Sequence, residues 1–214
     1  MKQPYKCIIF DWDGTLMDSA DKIVNTMQEA ARRSDLAVPS APAVHQIVGI
    51  SLTPAIARLF GLSCPVKTQE VVEHYKSVFV SYDQTPCPLF LGTEQLLENL
   101  IDKYRLAVAT GKARRGLERA WQHTQTKSYF VDSCCADEAE SKPSPDMLLQ
   151  ILERQKLAPE ECLMVGDTSF DMQMAQSINM PRVGVSYGVH SVAQLNQHNP
   201  VAIIDSPIEL LNWL

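Results

Sequence analysis

Four short polar segments interrupt the apolar rhythm of this sequence: Asp11-Trp12-Asp13-Gly14-Thr15, Thr110-Gly111-Lys112, Ser141-Lys142-Pro143 and Gly166-Asp167-Thr168-Ser169-Phe170-Asp171. Asp11 and Asp13 are two residues apart, so on an extended chain they point to the same side. Asp167 follows a later apolar run and brings a third carboxylate. Carboxylates gathered in one place repel unless a cation sits among them. Carboxylates and carbonyls suit a hard, oxygen-preferring ion, and Mg²⁺ is the expectation. Lys142 and free backbone N–H groups beside such an ion would suit an anionic phosphoryl group.

These segments can cooperate only if the fold gathers them. The apolar runs 7–10, 106–109, 130–134, 162–165, 182–185 and 202–204 read as strands. Most are continuously apolar, as in strands covered on both faces. Helical patterns lie between them at 92–103, 111–123, 143–156 and 170–178. The alternation predicts an α/β fold, a three-layer Rossmann-like core around a mostly parallel sheet. In such sheets, ligands bind outside the carboxyl ends of the strands. The polar segments fall at those ends.

Residues 19–82 break the alternation and read as helices only. Ile23, Val24, Met27, Ala30 and Ala31 fall on one helical face. Ser40 with Pro42, then Gly49, and Thr53-Pro54, then Gly61, punctuate two further helices, and a fourth spans about 66–82. The reading is a helical-bundle cap domain inserted after the first strand. Residues 18–85 form the cap, and 1–17 with 86–214 form the core. Residues 13–19 and Thr85-Pro86-Cys87-Pro88 are the two linkers.

In order, spacing and helical insertion, the four segments resemble the motifs of the haloacid dehalogenase superfamily, within the subgroup that holds phosphoglycolate phosphatase and β-phosphoglucomutase. The resemblance covers nearly the whole chain. It implies that Asp11 is a nucleophile forming an aspartyl-phosphate, and that Asp13 is the general acid and then the base. It implies that Thr110, the amides of Trp12, Asp13 and Gly111, and Lys142 hold the phosphoryl group. Asp167, Asp11 and the Asp13 carbonyl would ligate Mg²⁺, with Asp171 supporting them. Gly49-Ile50-Ser51-Leu52 would be a cap turn facing the core and helping to choose substrate, and Lys112 would reach the mouth of the site. The Trp12 side chain reads as packing.

The implied function is a Mg²⁺-dependent phosphatase of a small phosphate monoester. A phosphomutase of the β-phosphoglucomutase type is the alternative, and a non-catalytic phosphate-binding protein a third reading. A dehalogenase needs no acid at Asp13, and a phosphonatase needs a cap lysine that the Gly49 turn does not offer. Singly, each segment has an ordinary explanation: an Asp-x-Asp-Gly turn, a solvated Lys-Pro, a helix cap. It is their joint placement that points to chemistry.

With 19 Lys and Arg against 25 Asp and Glu, the net charge of −6 disfavours nucleic acid and anionic lipid as partners. A small phosphorylated metabolite needs only a local positive site. No apolar run is long enough for a transmembrane helix, and the apolar run near the start is too short for a signal peptide. The six cysteines form no C-x-x-C pair, and Cys7 and Cys162 fall in buried strands. The expectation is a reduced, cytoplasmic monomer.

Overall fold

The computed structural model describes residues 5–214; residues 1–4, the first part of the expected core segment 1–17, lie outside the described residues. Six strands, β1 (Cys7–Phe10), β2 (Arg105–Ala109), β3 (Asp132–Cys134), β4 (Cys162–Gly166), β5 (Arg182–Val185) and β6 (Ala202–Ile204), form one sheet in the order β3-β2-β1-β4-β5-β6. Every pairing is parallel. The fully buried, fully apolar β1 lies inside the sheet, between β2 and β4. Alternate β1 side chains serve opposite layers, as strand geometry requires. Ile8 and Phe10 pack with α5 (Thr93–Leu100) and α6 (Arg114–Thr124), whereas Cys7 and Ile9 pack with α7 (Asp146–Gln155) and α8 (Ser169–Ser177).

Between β1 and β2 the chain forms α1 (Ala20–Arg33), α2 (Ala41–His45), α3 (Leu52–Phe60) and α4 (Pro65–Ser77). These helices share their own apolar cluster, built on Met27, Ile47, Ile56 and Val71. The predicted punctuation holds locally. Ser40 Oγ accepts from Ala43 N at the start of α2, and Gly61 ends α3 in the left-handed conformation.

The fourth insert helix differs from expectation. It stops at Ser77 and continues as a single π-helical turn, Val78–Tyr82. Such turns shift the register of a helix and often accompany functional sites. Here the turn carries Phe79, whose ring stacks on Tyr75 and lies beneath the Lys112 ammonium at 5.2 Å.

The outgoing segment is more than a connector. Leu16 and Met17 are buried in the core, and Asp18 N and Phe90 N donate to Pro88 O and Leu16 O. The outward and return segments are thus tied together. Four short elements were not anticipated: α9 (Val192–Asn196) and 3₁₀ turns at Lys127–Tyr129, Pro159–Glu161 and Pro207–Asn212. Helix α9 opens on a Ser191/Gln194 capping pair, a signal legible in the sequence.

Candidate active site

The carboxyl ends of β1, β2 and β4 converge as expected. Asp11 follows β1, Thr110 follows β2 and Asp167 follows β4, while Lys142 comes from the loop before α7. All four are buried; Asp11 is 1% exposed, Lys142 2% and Asp167 0%. Burying charge is costly unless the groups are paired. Lys142 Nζ lies 2.8 Å from Asp11 Oδ1 and 2.6 Å from Asp171 Oδ1.

One ammonium therefore faces two carboxylates, and Asp167 adds a third. One oxygen from each of Asp11, Asp167 and Asp171 lies within 4.8 Å of the others. Burial raises the pKa of Asp11 well above the usual carboxylate range; Lys142 opposes the shift, and Asp171 and Asp167 reinforce it. Burial likewise lifts Asp167 to about 7, with Asp171 adding to the effect. Burial works against the Lys142 charge, but Asp11 and Asp171 outweigh it and raise its pKa.

This excess of negative charge fits a divalent cation. Asp11 Oδ2 is buried without a hydrogen-bond partner, so a ligand-type oxygen is left over. Asp167 is held from two sides: Thr15 Oγ1 donates to Oδ1 at 3.1 Å, and Val189 N to Oδ2 at 2.9 Å. Asp171 is more fully used. Besides Lys142, it accepts from Thr168 Oγ1 at 2.7 Å and Thr168 N at 3.1 Å. Its geometry is that of a residue fixing Lys142 and the start of α8.

Glycines make this crowding possible. A Cβ at Gly14 or Gly188 would overlap the Asp167 carboxylate, and Gly14 also needs a φ of +84° that disfavours other residues.

The Asp13 carboxylate stands apart from the three grouped acids. Its Oδ1 accepts from Ser19 Oγ at 2.7 Å and its Oδ2 pairs with Lys112 Nζ at 2.9 Å. Metal binding through the Asp13 side chain is therefore not what the structure offers, and only its carbonyl is left for that role. Ser19 sits at the N-cap of α1, yet its hydroxyl makes no cap bond. It holds Asp13 instead. Lys112 is thus brought to the Asp13 carboxylate.

Thr110 Oγ1 accepts from Lys112 N at 3.1 Å, which leaves its own proton to donate elsewhere. The amides of Trp12, Asp13 and Gly111 carry no backbone hydrogen bond among the described residues, unlike Asp11 N and Thr110 N, which donate to Val165 O and Cys134 O. The Trp12 side chain is fully buried against Trp121 and Phe130 and is a packing residue. Gly49 and Ser51 lie on a turn against Gly111, Ser141 and Thr168.

The family model for haloacid dehalogenase-like hydrolases matches residues 8–185. The chain belongs to this family. Among its relatives is IndB of Dickeya dadantii, described as a probable phosphatase. That protein is 32% identical over 211 residues, covering 95% of this chain and 91% of the relative. A phosphoglycolate phosphatase of Vibrio vulnificus is 28% identical over 220 residues, covering 99% and 96%. The haloacid dehalogenase-like family protein SP0104 of Streptococcus pneumoniae has the same fold, with a TM-score of 0.86, 26% identity and 98% coverage of both chains. This hydrolase is thus an enzyme whose relatives include phosphatases.

Sequence reasoning missed the residues that orient this hydrolase's site: Thr15, Ser19, Thr168, Val189 and Phe79. His190 is buried, and its Nδ1 accepts from Ser169 N at the start of α8. No helix among the described residues is long and apolar enough to cross a membrane.

Proposed function

We propose that this hydrolase is a Mg²⁺-dependent phosphatase of a small phosphate monoester, working through an aspartyl-phosphate on Asp11. The observation that carries the reading is the bridge from Lys142 to Asp11 and Asp171, beside an unpartnered Asp11 Oδ2. In this reading Asp11 Oδ2, Asp167 and the Asp13 carbonyl would hold the metal. Once bound, Mg²⁺ would neutralise charge on the phosphoryl oxygens and offset the repulsion among the acids.

The protein's own groups do the rest. Asp11 attacks phosphorus, and the bond to the ester oxygen breaks in line. Asp13, steered by Ser19 and Lys112, gives the leaving oxygen its proton and then takes one from the attacking water. Thr110 Oγ1, Lys142 and the amides of Trp12, Asp13 and Gly111 bind the phosphoryl oxygens. A carboxylate nucleophile suits this reaction because the acyl phosphate it forms is readily hydrolysed. Positioning and charge neutralisation are what phosphoryl transfer chiefly needs.

Residues 18–85 act in this reading as a cap over a core of 1–17 and 86–214. Six free cysteines support a reduced, cytoplasmic setting. Exposed apolar side chains such as Val66, Leu91 and Val131 lie on separate elements, which supports a monomer.

The test is hydrolysis of an aryl phosphate and a panel of small phosphate esters with Mg²⁺, with and without a chelator. Metal-dependent release of inorganic phosphate is the expected result. No turnover of any ester would favour the phosphate-binding reading. Phosphoryl return to a sugar phosphate in the presence of a sugar bisphosphate would favour the mutase.

A further inference from the structure

The apolar cluster of the inserted helices has one member from the α/β part of the chain. Among the described residues every other member falls between Ile23 and Phe79; the exception is Val189, on the loop after β5. The same residue holds a candidate metal ligand: Val189 N donates to Asp167 Oδ2 at 2.9 Å. Val189 thus touches the helices with its side chain and the carboxylate with its backbone.

The loop has little freedom to do one without the other. A Cβ at Gly188 would overlap the Asp167 side chain, so the backbone there runs hard against it. On the other side, His190 is buried and its Nδ1 accepts from Ser169 N at 3.0 Å. Val189 is therefore set between two anchored neighbours, and a shift of its side chain must turn its N–H. Thr15 Oγ1 holds the other oxygen, Oδ1, so among the described residues Oδ2 depends on Val189 alone.

We infer that Val189 is a positioning residue that couples the seating of the inserted helices to divalent-cation affinity at Asp167. The inference rests on the metal-dependent phosphatase reading and adds a regulation of that site. With the helices packed on Val189, its N–H is aimed at Oδ2 and the carboxylate is fixed for a cation. Groups that orient a metal-binding side chain typically matter about 10–100-fold in metal affinity. Coupling between two sites is reciprocal, so a bound cation must in turn favour the seated helices.

The experiment measures Mg²⁺ affinity by titration calorimetry on chelator-stripped protein, and amide exchange by mass spectrometry with and without saturating Mg²⁺. Val189→Ala withdraws the side chain from the cluster but keeps the N–H. It should weaken Mg²⁺ binding about fivefold or more, the lower end of typical coupling. Val189→Ile keeps the apolar contact and should bind Mg²⁺ as wild type does. Leu152→Ala opens a cavity in the other apolar layer, late in α7; it should cost stability and leave Mg²⁺ affinity unchanged. In wild type Mg²⁺ should slow exchange in α1 to α4, and in Val189→Ala that protection should be lost. Wild-type affinity in Val189→Ala, or an equal loss in Leu152→Ala, overturns the inference. If Val189→Ala does not fold, wild type decides: exchange in the helices unmoved by Mg²⁺ overturns it. Metal-dependent hydrolysis of the aryl phosphate would leave the phosphatase reading standing in each case. Wild type that neither binds Mg²⁺ nor hydrolyses the aryl phosphate would overturn both.

Discussion

The Lys142 ammonium lies 2.8 Å from Asp11 Oδ1 with both side chains sealed from solvent. Asp171 touches the same nitrogen from another element, at 2.6 Å. Truncating Lys142 would strand these carboxylates in a dry interior. Removing one partner of a buried pair typically costs about 3–5 kcal/mol. Lys142→Met should therefore lower the urea midpoint sharply at neutral pH and abolish turnover. A midpoint within error of wild type would show that the acids relax by taking up protons or solvent.

Asp11→Asn should act in the opposite direction on stability. It removes one of the crowded negative charges but leaves Lys142 paired with Asp171. The variant should lose phosphatase activity while the metal-free protein melts at a higher temperature than wild type. Residual turnover near the wild-type rate would exclude Asp11 as the nucleophile.

The raised pKa of Asp167 has a definite sign for stability. Unfolded, the group ionises near 3.8; folded and metal-free, near 7. Between these values the folded state holds a proton that the unfolded state releases, so stability falls as pH rises through the window. Above about 7 the penalty is fully present. A divalent cation favours the ionised form and should relieve it. Calorimetry at pH 5 and pH 8 should show a larger Mg²⁺-induced rise in Tm at pH 8. Equal rises would mean that Asp167 is not a ligand.

Gly188 sets how closely the loop after β5 approaches Asp167. An added methyl would overlap the Asp167 side chain, and overpacking of this kind costs about 1–3 kcal/mol. Gly188→Ala should shift the carboxylate and raise the Mg²⁺ concentration for half-maximal activity about tenfold. Magnesium titration of activity reads this directly, and an unchanged half-saturation point would show that the loop yields instead.

Much of this arrangement was legible in the sequence because its signals are local. Strands β1, β5 and β6 stand where their apolar runs placed them, and Gly61 ends α3 as its position suggested. Asp11 and Asp167 were legible because charged residues at the carboxyl ends of apolar strands need a reason, and Lys142 because a cation in a loop opening a helix at the same edge of the sheet could pair with them. The orienting groups gave no such signal. Thr15, Thr168 and Ser19 are ordinary turn and cap residues until the tertiary fold brings a carboxylate to them. Residues 13–19 read as a linker because their polar ends mask Leu16 and Met17, whose burial depends on a partner segment over 70 residues away in sequence. The π turn at Val78–Tyr82 was invisible for a related reason: its sequence continues a helical pattern, and the partners of its Phe79 ring, Lys22 and Lys112, come from other elements.

Ser19 offers a sharp test of the acid role of Asp13. Its hydroxyl contacts Asp13 Oδ1 at 2.7 Å and gives up the ordinary capping bond of α1. An N-cap that makes no side-chain bond contributes little as a cap, so Ser19→Ala should change helix stability only slightly. Its effect should fall on proton transfer, which a positioned acid accelerates by about 10²–10⁴-fold. That help matters most when the leaving alcohol is a poor one. Ser19→Ala should therefore slow hydrolysis of alkyl phosphates much more than that of an aryl phosphate, whose phenolate leaves without a proton. A series of leaving groups of rising pKa would give a steeper dependence of kcat/KM in Ser19→Ala than in wild type. Parallel dependences would mean that Lys112 alone suffices to hold Asp13 in place.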